Sequence, residues 1–151
     1  MTKLPSFSLP DQTGETRTNA DFAGKWIIVY CYPKDDTPGC TTEACGFRDS
    51  FVTLTEKGVK VIGVSKDSVA SHKKFAQKFD LPFTLLSDPE LGFIKDLGAW
   101  GLKKFMGKEY EGILRNTYLV DPKGEIVRTF AGVTPAGHAD ELLAAIAELQ
   151  G

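Results

Sequence analysis

The sequence predicts an α/β protein with a central mixed β-sheet and helices on both faces. Three observations carry that expectation. Two apolar runs, Trp26 to Tyr32 and Val59 to Ser65, have the length of buried strands and are separated by an amphipathic helical stretch. A second helix and strand follow them. Asp121-Pro122-Lys123-Gly124 then parts two β-rich segments, an antiparallel hairpin signal ahead of a terminal helix.

Taken in order, Phe7-Ser8-Leu9 and a short strand near Thr16 are expected to pair across Asp11-Gln12-Thr13-Gly14. Trp26 to Tyr32 is continuously apolar and reads as a buried strand. The next helix carries Cys40, Ala44, Phe47, Phe51 and Leu54 on one stripe and should stop at Gly58. Val59 to Ser65 completes a parallel crossover unit. A helix from Ser68 to about Phe79 and a strand at Thr84 to Leu86 repeat the pattern. Gly92 to Leu97 reads as a short helix. Asn116 to Val120 and Ile126 to Ala131 form the hairpin. The last helix, Gly137 to Leu149, should bury Leu142, Leu143, Ile146 and Leu149.

With 151 residues, 42% of them hydrophobic and 25% charged, the chain is expected to form a single domain over 1–151. Eighteen Lys and Arg against twenty Asp and Glu leave a formal charge of −2 with neither sign in a block, which argues against nucleic acid and anionic membrane as partners. No apolar run approaches the length of a membrane span, and Met1-Thr2-Lys3-Leu4-Pro5 lacks the apolar core of a signal peptide. A soluble cytoplasmic protein is expected.

Chemistry concentrates in Pro33-Lys34-Asp35-Asp36-Thr37-Pro38-Gly39-Cys40-Thr41-Thr42-Glu43-Ala44-Cys45. Thr37 is a suitable N-cap and Pro38 suits the first helical position. Cys40 then falls in the first turn, where unpaired N–H groups and the positive end of the helix dipole favour negative charge. A thiol there should be more reactive than a free one, although its place on the core stripe leaves a structural cysteine as the alternative. Cys45 follows five residues later, which on an ideal helix puts the α-carbons about 8.6 Å apart. A disulfide normally needs less than about 7 Å. Either the two never pair, or the first turns unwind when they do. Cys31 lies in the strand, facing the opposite side of the sheet from Tyr30 and Tyr32, and reads as a small buried hydrophobe.

Three cysteines do not make a disulfide scaffold in a chain of this size. His72 and His138 are isolated and read as surface residues, which argues against zinc and against a cysteine–histidine hydrolase. No Cys-x-x-Cys motif is present. Trp100 reads as a loop aromatic capping the core, and Arg115 as a strand-end charge that could hold a thiolate if it approached Cys40.

The segment from Pro33 to Cys40 closely resembles the active-site signature of the peroxiredoxins, and its extension to Cys45 resembles their bacterioferritin comigratory protein (Q-type) subfamily. Gly98-Ala99-Trp100-Gly101 and Arg115-Asn116-Thr117-Tyr118-Leu119-Val120-Asp121-Pro122-Lys123-Gly124 match as well. The resemblance implies a thioredoxin-like fold, an order of elements with which the pattern above agrees. It also implies reduction of hydrogen peroxide or alkyl hydroperoxides, with thioredoxin or glutaredoxin as reductant and no cofactor or metal. By the match, Cys40 is the peroxidatic cysteine, Pro33 shields the pocket, Thr37 bonds thiolate and peroxide, Arg115 stabilises both, and Cys45 is the resolving cysteine. Where the subfamily more often carries an aromatic residue, this chain has Cys31. No cysteine follows Cys45, so resolution within one subunit, and a monomer, are expected.

Overall fold

A computed structural model of the chain describes residues 2–150. The chain opens with β1 (Thr2–Lys3) and the antiparallel pair β2 (Ser8–Pro10) and β3 (Thr16–Thr18), joined through the Asp11 turn as expected. Strand β4 (Trp26–Cys31), helices α1 (Pro38–Asp49) and α2 (Phe51–Glu56), and β5 (Val59–Ser65) form the first crossover. Helix α3 (Val69–Phe79) and β6 (Thr84–Ser87) form the second. The chain then runs through α4 (Gly92–Asp96), the hairpin β7 (Trp100–Phe105) and β8 (Lys108–Ile113), the hairpin β9 (Thr117–Val120) and β10 (Glu125–Phe130), and α5 (His138–Gln150).

Six strands make the main sheet, in the order β1-β10-β9-β4-β5-β6. Strands β4, β5 and β6 are parallel, while β9 runs antiparallel to β4 and to β10. Strand alternation divides the core in two. Ile28, Tyr30 and Tyr32 face one side with residues of α1, α2, α3 and α5. Ile27, Val29 and Cys31 face the other, with Phe7, Phe22 and the α4 residues Phe93 and Ile94. Helices lie on both faces as expected, but unequally. Both parallel crossovers step in the same direction along the sheet, so their right-handedness puts α1 and α3 on one face. Among the described residues, the other face is covered by short pieces.

Several expectations need correction. The helix carrying Cys40 is interrupted at Ser50 (φ −96°, ψ 5°), although Ser50 N–H still donates to the Gly46 carbonyl at 3.2 Å. Its stop is as expected, with Gly58 left-handed at φ 72°. Leu149 is 37% exposed rather than buried, because α5 presents Leu142 and Ile146 to the sheet and Leu149 lies beyond that contact. Trp100 begins a strand rather than a loop, and its indole N–H donates to Glu111 Oε2 at 3.1 Å. The β7–β8 hairpin is hidden in the sequence because its turn is Met106-Gly107 instead of an Asn-Gly or Asp-Gly pair, and Met106 takes φ 51° there.

His72 and His138 are the largest departures. Both are buried, at 0% and 2% exposure. His138 makes ring contacts at 2.8 Å with Glu141 Oε1 and with Thr117 Oγ1, and burial pulls its pKa down while Glu141 opposes the shift. Each imidazole has a hydrogen-bond partner brought from another element, Thr117 for His138 and Asp35 for His72, so isolation in sequence said nothing about exposure.

Candidate active site

Strand β4 delivers the chain into the turn Pro33–Thr37, and α1 begins at Pro38, so Cys40 lies in the first helical turn. Thr37 occupies the N-cap position with extended backbone (φ −103°, ψ 155°). Its side chain does not cap the helix. The Thr37 hydroxyl donates instead to the Lys34 carbonyl at 2.9 Å, closing the turn that leads into the helix. Pro33 is half-buried at the start of that turn.

Arg115 lies in the short connection between β8 and β9, just ahead of the strand it was expected to open. Val133 N–H binds its carbonyl at 2.9 Å, and the Cys31 N–H binds the next carbonyl, that of Asn116, also at 2.9 Å. The backbone is thus tied to β4 and to the segment after β10. From there Arg115 Nη2–H donates to Cys40 Sγ at 3.4 Å, and Nη1–H donates to Glu43 Oε1 at 3.0 Å. Gly39 makes this approach possible. A β-carbon there would lie 3.1 Å from Arg115 Nη2 and 3.5 Å from Pro135 Cγ. Burial pulls the Arg115 pKa down, but the Cys40 sulfur and the Glu43 carboxylate more than offset it, so the guanidinium remains a fixed cation.

Glu43 is a site residue that the sequence reading did not single out. It is 1% exposed, one turn after Cys40 on the same helix face. That spacing was the available signal, because a residue three positions after a core-stripe residue falls beside the stripe. Burial raises its pKa from 4.5 to about 7 despite the opposing pull of Arg115, and its Oε2 finds no hydrogen-bond partner among the described residues. The folded protein therefore retains a Glu43 proton that the unfolded chain has released between pH 4.5 and about 7. Stability tied to this group is complete below that window and is lost as pH rises through it. Glu43→Gln should remove that component, so the difference in unfolding free energy between variant and wild type should change across the window, by on the order of 3 kcal/mol. Denaturant unfolding at pH 4.5 and pH 8 measures it, and a constant difference would show that Glu43 does not titrate this way.

Cys40 is 1% exposed and Cys45 half-buried, and both are free thiols within one intact α1. Cys31 is fully buried on the opposite face of the sheet, where burial pushes its thiol pKa far up. It takes no part in the Cys40 site. The structure therefore brings Cys40, Arg115 and Glu43 into one bonded group, with Thr37 and Pro33 shaping the turn beside it.

The chain matches the model of the AhpC/TSA family over residues 1–129. The chain belongs to the AhpC/TSA family. Within it, the chain is 48% identical to a putative peroxiredoxin bcp of Coxiella burnetii over 141 residues, 93% of each chain. It is 44% identical to peroxiredoxin Bcp of Bacillus subtilis over 147 residues, covering 97% of this chain and 94% of that one. Among solved structures, Xanthomonas campestris peroxiredoxin Q superposes with a TM-score of 0.89 at 39% identity, covering 94% of this chain and 90% of that one. A bacterioferritin comigratory protein of the same organism, examined for alkyl peroxide reduction through trapped intermediate and ligand complexes, gives a TM-score of 0.91 at 37% identity, with coverage of 96% and 92%. The expected subfamily and the thioredoxin-like fold are both borne out by these AhpC/TSA relatives. No helix among the described residues is long and apolar enough to cross a membrane.

Proposed function

We propose that this chain is a single-domain thiol peroxidase that reduces hydrogen peroxide and alkyl hydroperoxides through Cys40. The observation that carries the reading is the Cys40 sulfur in the first turn of α1 with the Arg115 guanidinium donating to it at 3.4 Å. A cation fixed there stabilises negative charge on sulfur and, during reaction, on the oxygens of a bound peroxide. The Cys40 thiolate attacks one peroxide oxygen. The S–O bond forms as the O–O bond breaks, sulfur is oxidised to the sulfenic acid, and the departing alkoxide or hydroxide takes up a proton to leave as alcohol or water. Pro33 and Thr37 line the entry turn, and the Thr37 hydroxyl, already donating to Lys34, retains lone pairs to accept a peroxide hydrogen.

Cys45 supplies the second thiol. Its sulfur attacks the sulfenic sulfur, the disulfide forms, and water departs. A dithiol reductant of the thioredoxin or glutaredoxin type then restores both thiols. This cycle needs one subunit, which supports a monomeric enzyme, and a cycle that returns both cysteines to free thiols suits a reducing compartment such as the cytoplasm. Peroxide-dependent NADPH oxidation in the presence of thioredoxin and its reductase tests the whole cycle. No consumption above the level without the protein would reject it.

Arg115→Ala should slow the peroxide-consuming step about a hundredfold, the usual scale for losing one donor aimed at developing charge. Stopped-flow measurement of the first step checks this. A wild-type rate would reduce Arg115 to a structural partner of Glu43.

A further inference from the structure

A second polar cluster lies behind the turn that enters α1. Asp35 is the one buried residue between Tyr32 and Cys40, and its carboxylate is bonded on both oxygens. Oδ1 accepts the Tyr32 hydroxyl at 2.5 Å. Oδ2 accepts the Ser71 hydroxyl at 2.8 Å and lies 2.6 Å from His72 Nδ1. The other imidazole nitrogen, Nε2, lies 3.0 Å from the Leu86 carbonyl. That carbonyl can only accept, so Nε2 carries a hydrogen, and a further hydrogen must lie between Nδ1 and Oδ2. The Asp35 main chain is tied as well, its N–H donating to Asp67 Oδ2 at 2.8 Å, and Asp67 Oδ2 also accepts the Ser65 hydroxyl at 2.7 Å.

Asp35, Asp67 and His72 offer atoms within 4.8 Å of one another, the spacing of a metal site. Both imidazole nitrogens are already engaged, so the cluster is better read as an anchor. It joins the turn to the ends of β4 and β5, to α3, and to β6.

We propose that Asp35 and His72 are positioning residues that fix the upstream end of the mobile part of the site. This rests on the peroxidase reading above. Every other residue from Pro33 to Gly39 is half-buried or exposed, so the turn is held in depth at Asp35 alone among the described residues. While α1 is intact, the anchor aligns the helix start so that Cys40 meets Arg115. When the helix start unwinds to let Cys40 approach Cys45, the same anchor resists displacement of the turn. Loosening it therefore acts in opposite directions on the two steps. The peroxide reaction slows, because the sulfur is no longer held at the guanidinium, and disulfide formation quickens, because unwinding has less to overcome. A merely structural contact would not divide the steps in this way.

The test follows a single turnover after one equivalent of hydrogen peroxide, with acid quench, alkylation and mass spectrometry counting free Cys40 and the Cys40–Cys45 disulfide separately. Asp35→Ala should slow Cys40 oxidation at least about tenfold, the scale of a small misplacement at a reacting centre, while disulfide formation becomes faster. Asp35→Asn, which keeps an acceptor for His72, should recover part of both changes. Tyr32→Phe removes one hydroxyl at unchanged shape, and should shift both rates the same way by less if Asp35→Ala does not fold. Both rates falling together, or neither moving while the unfolding midpoint drops, would overturn the proposal. Hydrogen exchange on the reduced variants separates it from the peroxidase reading. Selective loss of protection at residues 41–44, the first main-chain N–H groups bonded within α1, supports the anchor even if the protein proves inert to peroxide, and unchanged protection there rejects the anchor even if the protein is a good peroxidase.

Discussion

Cys40→Ser is expected to abolish peroxide consumption, lowering the rate by more than about a thousandfold, as removal of an enzyme nucleophile does. The alternatives are poor. Cys31 is buried on the far face of the sheet and its thiol is held protonated by burial. Cys45 lies on α1 half-buried, and among the described residues no cation bonds its sulfur. Only Cys40 combines a first-turn position with the Arg115 donor at 3.4 Å. Serine fits the same space, so the variant should fold and retain the Arg115–Glu43 bond. The measurement is loss of hydrogen peroxide in the coupled assay, with far- and near-ultraviolet circular dichroism to confirm the fold. Substantial turnover by a folded Cys40→Ser protein would remove the basis of the proposed function.

The second large effect is conformational. With α1 intact, residues five apart are about 8.6 Å apart at their α-carbons, beyond the reach of a disulfide. Oxidation to the Cys40–Cys45 form should therefore unwind α1 from Thr37 to about Arg48. Part of that segment gives way easily. Thr41, Thr42 and Gly46 are weak helix formers, and the glycine gains freedom on unwinding. Resistance concentrates at Phe47, which is fully buried with its ring centroid 4.8 Å from Tyr30 and 5.8 Å from His138. Phe47 should accordingly show the largest change in environment. Amide exchange before and after one equivalent of peroxide should lose at least about tenfold protection over residues 40–48. Cys45→Ser should react once and then stall as sulfenic acid, passing to sulfinic acid under excess peroxide. A disulfide confirmed by mass spectrometry with unchanged protection in α1 would show that the bond forms without unwinding.

The position of Cys40 and its setting were legible because they are local. A proline, a threonine and a glycine ahead of Cys40 specify where a helix begins, and the helix start specifies the electrostatics of the thiol. The parallel crossovers were legible for the same reason, since an apolar run and a 3.6-residue stripe each lie within one short window. The Thr37 cap shows the limit of such reasoning. Its position was right, but its hydroxyl went to Lys34, because a side chain that can close a turn competes with the helix for the same hydrogen bond.

By itself, then, the sequence determined five of the six strands of the main sheet (all but the edge strand Thr2–Lys3) and the helical stretches of its crossovers, the place of Cys40 in a first helical turn, and a pair of cysteines too far apart to bridge on an intact helix. Tertiary structure alone decided what surrounds them. Arg115 and Glu43 meet across 72 positions, Arg115 and Cys40 across 75, and His72 and Asp35 across 37. A buried polar side chain is tolerated only when a partner reaches it, and that partner comes from another element placed by the sheet order. Glu43, His72 and His138 each look like surface residues in isolation. Each is buried because the fold brings a guanidinium, a carboxylate or a hydroxyl to within bonding distance.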